Sequence, residues 1–319
     1  MGTSTLLVYT EDQAPAALAL AEACGVPARV VARHRFPDGE WKLTLPFAPE
    51  HSETVPTQLV VFRSLHQPNE KLLEVLLVCG QARAWGVKRI VLVAPYLAYM
   101  RQDISFHPGE VVSQRVLGHL LAAHIDGLLT VDPHLHRVAT LGEAVPVSPA
   151  VALSAAPALA RHVGEALGPE ARPVLIGPDG ESAPWVASAA ATLGCDHGVC
   201  SKVRHGDRDV EVQLPTIDVS GRAVVLIDDI ASSGRTLAVA TRLLLAQGAA
   251  SVDVAITHAL FESGAVELIR SAGVRHIWSS DAVAHDTNAV PLAALMAPAL
   301  REALARPISS SPSTPQAPA

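Results

Sequence analysis

"VVLIDDIASSGRTL" occupies residues 224–237. The apolar run up to Asp228 reads as a strand buried on both faces, and "TLAVATRLLLAQGA" after it has helical apolar spacing with a glycine stop. Between strand and helix lie two adjacent carboxylates and a run of small polar residues. Neighbouring like charges repel, so placing them at the end of a buried strand is costly unless something uses them. A strand that ends in polar groups and turns into a helix is the unit of parallel α/β sheets, whose ligands sit at the carboxyl ends of the strands.

The same plan extends in both directions. Before it, "STLLVYT", "TQLVVFRSL", "KRIVLVAPYL" and "GLLTVDPHLH" read as strands, with helical segments such as "NEKLLEVLLVCGQARAWG" between them. A similar order begins again near residue 150, through "RPVLIGPDG", the opening stretch, "SVDVAITHALF" and a last strand "VRHIWSSDAV". Length points the same way, since 319 residues fit about two domains. The expectation is an α/β protein with two copies of one βα plan, divided near Pro146–Pro149.

Composition narrows the partners. A net charge of −7 with no dense basic block argues against a general nucleic-acid binder. Phosphate ligands would therefore need local cations or a metal ion. Cys24, Cys79, Cys195 and Cys200 show no CxxC spacing, which favours reduced thiols over a zinc site or disulfides. Neither a signal peptide nor a membrane-length apolar run is visible, so a cytoplasmic location without a membrane partner is expected. The Pro/Ser-rich residues 306–319 read as a disordered tail.

The chemistry of residues 228–236 divides in two. Small residues before a helix N-terminus leave backbone N–H groups free to grip a phosphate. Ser232, Ser233 and Thr236 add hydroxyl donors around Gly234. Asp228 and Asp229 cannot bind phosphate directly, but they can accept hydrogen bonds from sugar hydroxyls or hold a metal-bound water. An N-capped helix after two solvated acids is the plainer alternative. Polar residues also close other strands: Asp132 and His134, and Asp179.

"VLIDDIASSGRT" resembles the phosphoribosyl-pyrophosphate loop of type I phosphoribosyltransferases and of ribose-phosphate pyrophosphokinases, with Arg235 where that loop usually has glycine. "PYLAYMRQD" at 95–103 is similar to the ATP-binding segment "PYxxYxRQD" of the pyrophosphokinases, a segment that plain phosphoribosyltransferases lack. "FPDGE" at 36–40 resembles their "FxDGE" loop, although such a tripeptide centre also suits an ordinary turn. "TVDPHLH" matches "DLHxxQ" at His134 but not at the glutamine, where Arg137 and Val138 stand. "GPDGES" supplies Asp179, and "CSKVRHGDRDVEV" at 200–212 supplies Lys202 and Arg204 of the family's "KxR" catalytic loop. The resemblance covers roughly residues 1–305.

It implies two type I phosphoribosyltransferase-like domains, each a mainly parallel sheet flanked by helices: residues 1–147 and 148–289, with a C-terminal helix at 290–305 returning to the first. It implies transfer of a pyrophosphoryl group from ATP to ribose 5-phosphate, with Mg²⁺ as cofactor. Phe36, Asp38, Glu40, Arg101, Gln102 and Asp103 would position ATP. Asp228, Asp229, Ser232, Ser233, Gly234 and Thr236 would bind ribose 5-phosphate, and His134 and Asp179 would anchor the metal. Lys202 and Arg204 would close over the transferring group. A homo-oligomer with the ATP site near a subunit interface is implied too. A phosphoribosyltransferase and a catalytically silent regulatory homologue are the alternatives.

Overall fold

A computed structural model describes residues 4–50, 55–135, 137–204 and 210–307, without the side chains of 202–204 and 210–211. The chain forms two compact units: residues up to Leu153 together with those from Ala293 onward, and Ser154–Leu292.

The first unit contains β1 (Thr5–Tyr9), α1 (Ala14–Cys24), β2 (Ala28–Val30), β3 (Ala32–Arg35), β4 (Trp41–Thr44), β5 (Gln58–Phe62), α2 (Pro68–Ala84), β6 (Arg89–Ala94), α3 (Ser113–Ala122), β7 (Gly127–Val131), α4 (Leu141–Ala144) and β8 (Ala150–Leu153). Six parallel strands run in the order β2-β1-β5-β6-β7-β8. β5, β6 and β7 are buried along their whole length, so QLVVF, RIVLVA and GLLTV carry no polar alternation. α3 and α4 approach so closely that a Cβ on Gly118 would stand 1.8 Å from the Ala144 carbonyl oxygen. Only glycine fits there.

The second unit contains α5 (Ala156–Leu167), β9 (Val174–Gly177), α6 (Ala183–Leu193), β10 (His197–Val199), β11 (Ser201–Arg204), β12 (Val210–Gln213), β13 (Ala223–Ala231), α7 (Arg235–Ala246), β14 (Ser251–Ala259), α8 (Ala265–Ser271), β15 (Val274–Ser280) and β16 (Asn288–Val290). Its six-stranded sheet has the order β10-β9-β13-β14-β15-β16, again parallel. Thus β13 holds the place in this sheet that β5 holds in the first. Proline sits in the first turn of α1, α2, α5 and α6, where its missing N–H costs no hydrogen bond and its fixed φ suits the helix.

α9 (Ala293–Ala305) packs on α1 of the first unit. The Gln58 amide donates to the Leu304 carbonyl at 3.3 Å, and the buried Arg89 guanidinium donates to the Ala303, Arg306 and Pro307 carbonyls. A cation over the free carbonyls of a helix end satisfies them and opposes the helix dipole, which anchors α9 on the first sheet.

Some boundaries differ from the sequence expectation. β8 pairs with β7 from Leu128↔Ala150 to Val131↔Leu153, so the first sheet runs past residue 147. β16 was not anticipated, because Asn288–Val290 has too few apolar residues to stand out. Cys79 and Cys200 are buried, whereas Cys24 and Cys195 are half-buried; all four are free thiols. Of the expected tail at 306–319, residues 308–319 lie outside the described residues.

Candidate active-site loops

The end of β13 builds the acidic feature. Asp229 is buried, Asp228 is half-buried, and the Asp229 backbone N–H donates to Asp228 Oδ1 at 3.0 Å. Burial pushes the Asp228 carboxyl well above the usual range, and the charges of Asp229 and Asp179 push it further. Asp179 follows the neighbouring strand β9 and accepts the Glu181 N–H at 3.1 Å as an N-cap. Asp179 is thus near enough across two adjacent strands for its charge to act on Asp228.

Beyond the acids the chain turns at Gly234, with φ 71°, directly before α7. A Cβ there would lie 2.8 Å from Ile269 Cδ1 and 3.1 Å from the Ala265 carbonyl oxygen, so both backbone angle and packing demand glycine. The loop therefore presses against the start of α8. Ser232 and Ser233 are half-buried beside it, and Thr236 lies in the first turn of α7. Arg235, the departure from the family loop, begins α7 and is exposed, so it leaves the glycine turn intact. Unanticipated is Glu262: its carboxylate accepts the Ser232 hydroxyl at 3.0 Å, and its N–H donates to the Ser232 carbonyl at 3.1 Å.

The "FPDGE" stretch of the first unit is the turn of the antiparallel hairpin β3–β4. Phe36 N–H donates to the Glu40 carbonyl and Gly39 N–H to the Phe36 carbonyl, both at 2.9 Å, while Asp38 Oδ1 accepts the Glu40 N–H at 3.1 Å. Phe36 is 41% exposed, and Asp38 and Glu40 are exposed.

An ion-pair network of residues far apart along the chain fixes this hairpin. Arg33 bonds Asp12 at 2.8 Å and Glu74 at 3.0 Å; Arg63 bonds Asp12 at 2.8 Å, Glu74 at 2.5 Å and the Thr10 hydroxyl at 2.7 Å. Arg35 bonds Glu70 at 2.8 Å, and Trp41 lies under the Arg33 and Arg35 guanidinium groups at 5.5 and 5.4 Å. Arg63 and Glu74 side chains are each only 3% exposed, so the hairpin is tied to a buried anchor.

The 95–103 segment follows β6. Tyr99 holds a positive φ of 62°, Arg101 is exposed and Gln102 accepts the Ser113 hydroxyl at 3.0 Å. Asp103 is buried, and its carboxylate takes the Arg137 guanidinium at 2.7 Å and the Arg137 N–H at 3.2 Å. Arg137, which replaces the expected glutamine region, therefore ties the two loops together, and Asp103 acts on the position of its neighbours. His134 is half-buried just past β7, close after Asp132, whose φ of 39° is unusual for a non-glycine residue.

Lys202 and Arg204 lie on β11, which pairs antiparallel with β12 to form a hairpin. Their side chains lie outside the described residues. His134 belongs to the first unit, and Asp179, Asp228 and Asp229 to the second. Among the described residues no group of three or more His, Cys, Asp or Glu side chains could hold a metal ion on its own. The carboxylate oxygens at β9 and β13 nevertheless suit Mg²⁺, a hard cation that keeps waters and shares its ligands with phosphates. The charge crowding at Asp228 is what such a cation would relieve.

Two family models match the chain: "N-terminal domain of ribose phosphate pyrophosphokinase" over residues 5–124 and "Phosphoribosyl transferase domain" over residues 147–277. A ribose-phosphate pyrophosphokinase of Methanopyrus kandleri is 35% identical over 282 residues, covering 88% of this chain and 93% of that protein. One of Halobacterium salinarum is 34% identical over 298 residues, covering 92% of this chain and 100% of the relative. The crystal structure of phosphoribosylpyrophosphate synthetase from Mycobacterium smegmatis superposes with a TM-score of 0.79 at 22% identity, covering 94% of this chain and 99% of that one.

Proposed function

Because the chain belongs to the ribose-phosphate pyrophosphokinase family, it is a diphosphate-transferring enzyme, and we propose the following division of labour among its residues. The reaction moves the β,γ-pyrophosphoryl group of ATP to the C1 hydroxyl of ribose 5-phosphate. The C1 oxygen forms a bond to the β-phosphorus. The bond from that phosphorus to the α,β-bridging oxygen breaks, and AMP leaves with the oxygen. The hydroxyl proton passes to solvent. The products are 5-phosphoribosyl 1-pyrophosphate and AMP.

Ser232, Ser233, Gly234 and Thr236 cradle the 5-phosphate with backbone N–H and hydroxyl donors. Asp228 and Asp229 accept the ribose hydroxyls. Phe36 stacks on the adenine, Asp38 and Glu40 hold its base edge or ribose, and Arg101 and Gln102 bind the nucleotide, with Asp103 fixing their loop through Arg137. His134 in the first unit and Asp179 in the second would each serve as a Mg²⁺ ligand, and the cation would supply neutralisation of triphosphate charge. Lys202 and Arg204 meet the charge that develops on the migrating group, so catalysis is positioning and neutralisation without a dedicated general base. A homo-oligomer with the ATP site near a subunit interface belongs to the same reading, as does a cytoplasmic location; among the described residues no helix is long and apolar enough to cross a membrane.

One observation carries the assignment: an acid pair and a glycine-turned donor loop follow one strand in a chain that also bears the 36–40 and 95–103 loops. Incubating the purified chain with Mg²⁺, ATP and ribose 5-phosphate tests it. Equal amounts of AMP and 5-phosphoribosyl 1-pyrophosphate are expected. Absence of both would assign the chain to a silent homologue.

A further inference from the structure

We propose that Glu262 sets the affinity for ribose 5-phosphate, acting as a built-in anion that competes with the substrate phosphate for the Ser232 hydroxyl. The inference rests on the reading of residues 232–236 as the phosphate cradle.

The connection between β14 and α8 is fastened to the cradle at two points. One is the backbone bond from Glu262 N–H to the Ser232 carbonyl, at 3.1 Å; the other is the bond from Ser232 Oγ to Glu262 Oε1, at 3.0 Å. The tight fit of Gly234 on Ile269 and Ala265 keeps the two segments together. A hydroxyl has one hydrogen to donate. While Ser232 donates it to Glu262, the serine side chain offers a phosphate only lone pairs. A phosphate dianion that takes the Ser232 hydroxyl as a donor therefore breaks the Ser232–Glu262 bond, and its arrival brings two anions close together. Among the described residues no ion pair neutralises Glu262, and its side chain is exposed, so it can swing away without unfolding its surroundings. The result is a cradle whose geometry is held ready but whose affinity is deliberately moderated by one charge.

Glu262→Gln keeps an acceptor for Ser232 and leaves the backbone bond, yet removes the charge. Glu262→Ala removes both the charge and the acceptor. In steady-state kinetics, both variants should lower KM for ribose 5-phosphate, by on the order of 3- to 10-fold for a single screened like charge near the phosphate, while KM for ATP stays put. A purely structural role would move neither constant selectively or would raise the one for ribose 5-phosphate. An unchanged or higher ribose 5-phosphate KM in Glu262→Gln overturns the inference. Ser232→Ala separates this from the cradle itself. If it raises the same KM while Glu262→Gln fails to lower it, only the role of Glu262 falls. If Ser232→Ala leaves that KM unmoved, the cradle assignment falls, and the role of Glu262 with it.

Discussion

The connections after β5 and after β13 occupy the same place in their two sheets, and their backbones behave alike. Each enters its helix through a residue at positive φ: Gln67 at 51° before α2 and Gly234 at 71° before α7. Their side chains have opposite fates. In the first, Arg63 is spent on Thr10, Asp12 and Glu74, and Ser64 is bonded through both its backbone groups to the Gln13 amide, while burial and the nearby Lys71 and Arg63 cations push the His66 imidazole down to about 4, so that it pairs with Lys71 at 2.7 Å as a neutral ring. In the second, acids crowd acids, and the hydroxyls of Ser232 and Ser233 stand at a half-buried surface. One turn is closed by the ion pairs of Arg63 with Asp12 and Glu74 and works as a joint that holds the β3–β4 hairpin. The other is left electrostatically frustrated, which is how a loop awaiting a ligand differs from one that has its partners built in.

The largest expected effect tests the closed turn. Glu74→Ala leaves the buried Arg63 guanidinium without its buried acid and paired only with the partly exposed Asp12, a change that costs up to about 3–5 kcal/mol. Thermal unfolding should show a large drop in Tm. Asp228→Asn in the open turn should do the reverse: the ligand-free protein becomes more stable, because a carboxyl that burial and Asp229 disfavour is neutralised, while activity is lost. A fall in Tm for both would show that the two turns are not opposites.

Next come changes confined to the open side. Lys202→Ala or Arg204→Ala should reduce kcat by on the order of 10²–10³-fold with little change in nucleotide binding, as removal of a charge contact made in the transition state does. Unchanged turnover in both variants would refute their assignment. Gly234→Val should raise KM for ribose 5-phosphate at least about 10-fold, since a β-branched residue at φ 71° and 2.8 Å from Ile269 costs roughly 1–3 kcal/mol and displaces the loop. The equivalent Gln67→Gly should leave catalysis unaltered, as glycine accepts the positive φ of that turn without strain.

How much of this could be read from the chain depends on distance along it. Apolar runs such as 224–227 announce their strands, and Asp228–Asp229 and the small residues after them announce the open turn, because each signal lies within a dozen residues. The family motifs locate the hairpin at 36–40 and the loop at 95–103. What holds those loops is not local. Arg33 and Glu74 are 41 positions apart, Arg137 and Asp103 are 34 apart, and Ser232 and Glu262 are 30 apart. Arg33, Glu74, Arg137 and Glu262 each look alone like a solvated surface charge. Only the fold, by bringing strand ends and helix starts together, turns them into partners. β16 was missed for a related reason, being a strand by virtue of its neighbour β15 and not of its own composition.

The smallest effect concerns the acid limb of the closed turn. Burial disfavours the Asp12 carboxylate, but hydrogen bonds from Arg63 and Thr10 and the charges of Arg63 and Arg33 outweigh it, lowering its pKa to about 2. An unfolded aspartate titrates near 3.9 (roughly, as in model peptides). Between these values the unfolded chain binds a proton that the folded one refuses, so stability supplied by Asp12 is complete above about pH 4 and is lost as the pH falls toward about 2. Because the side chain is 38% exposed, solvent screening limits the contribution to about 1 kcal/mol. Asp12→Asn should therefore lower stability at neutral pH by that amount and converge with the parent protein near pH 2. Denaturant midpoints measured across this range decide it: a difference that stays constant with pH would mean that Asp12 works by packing, and that charge complementarity is not what closes the first turn.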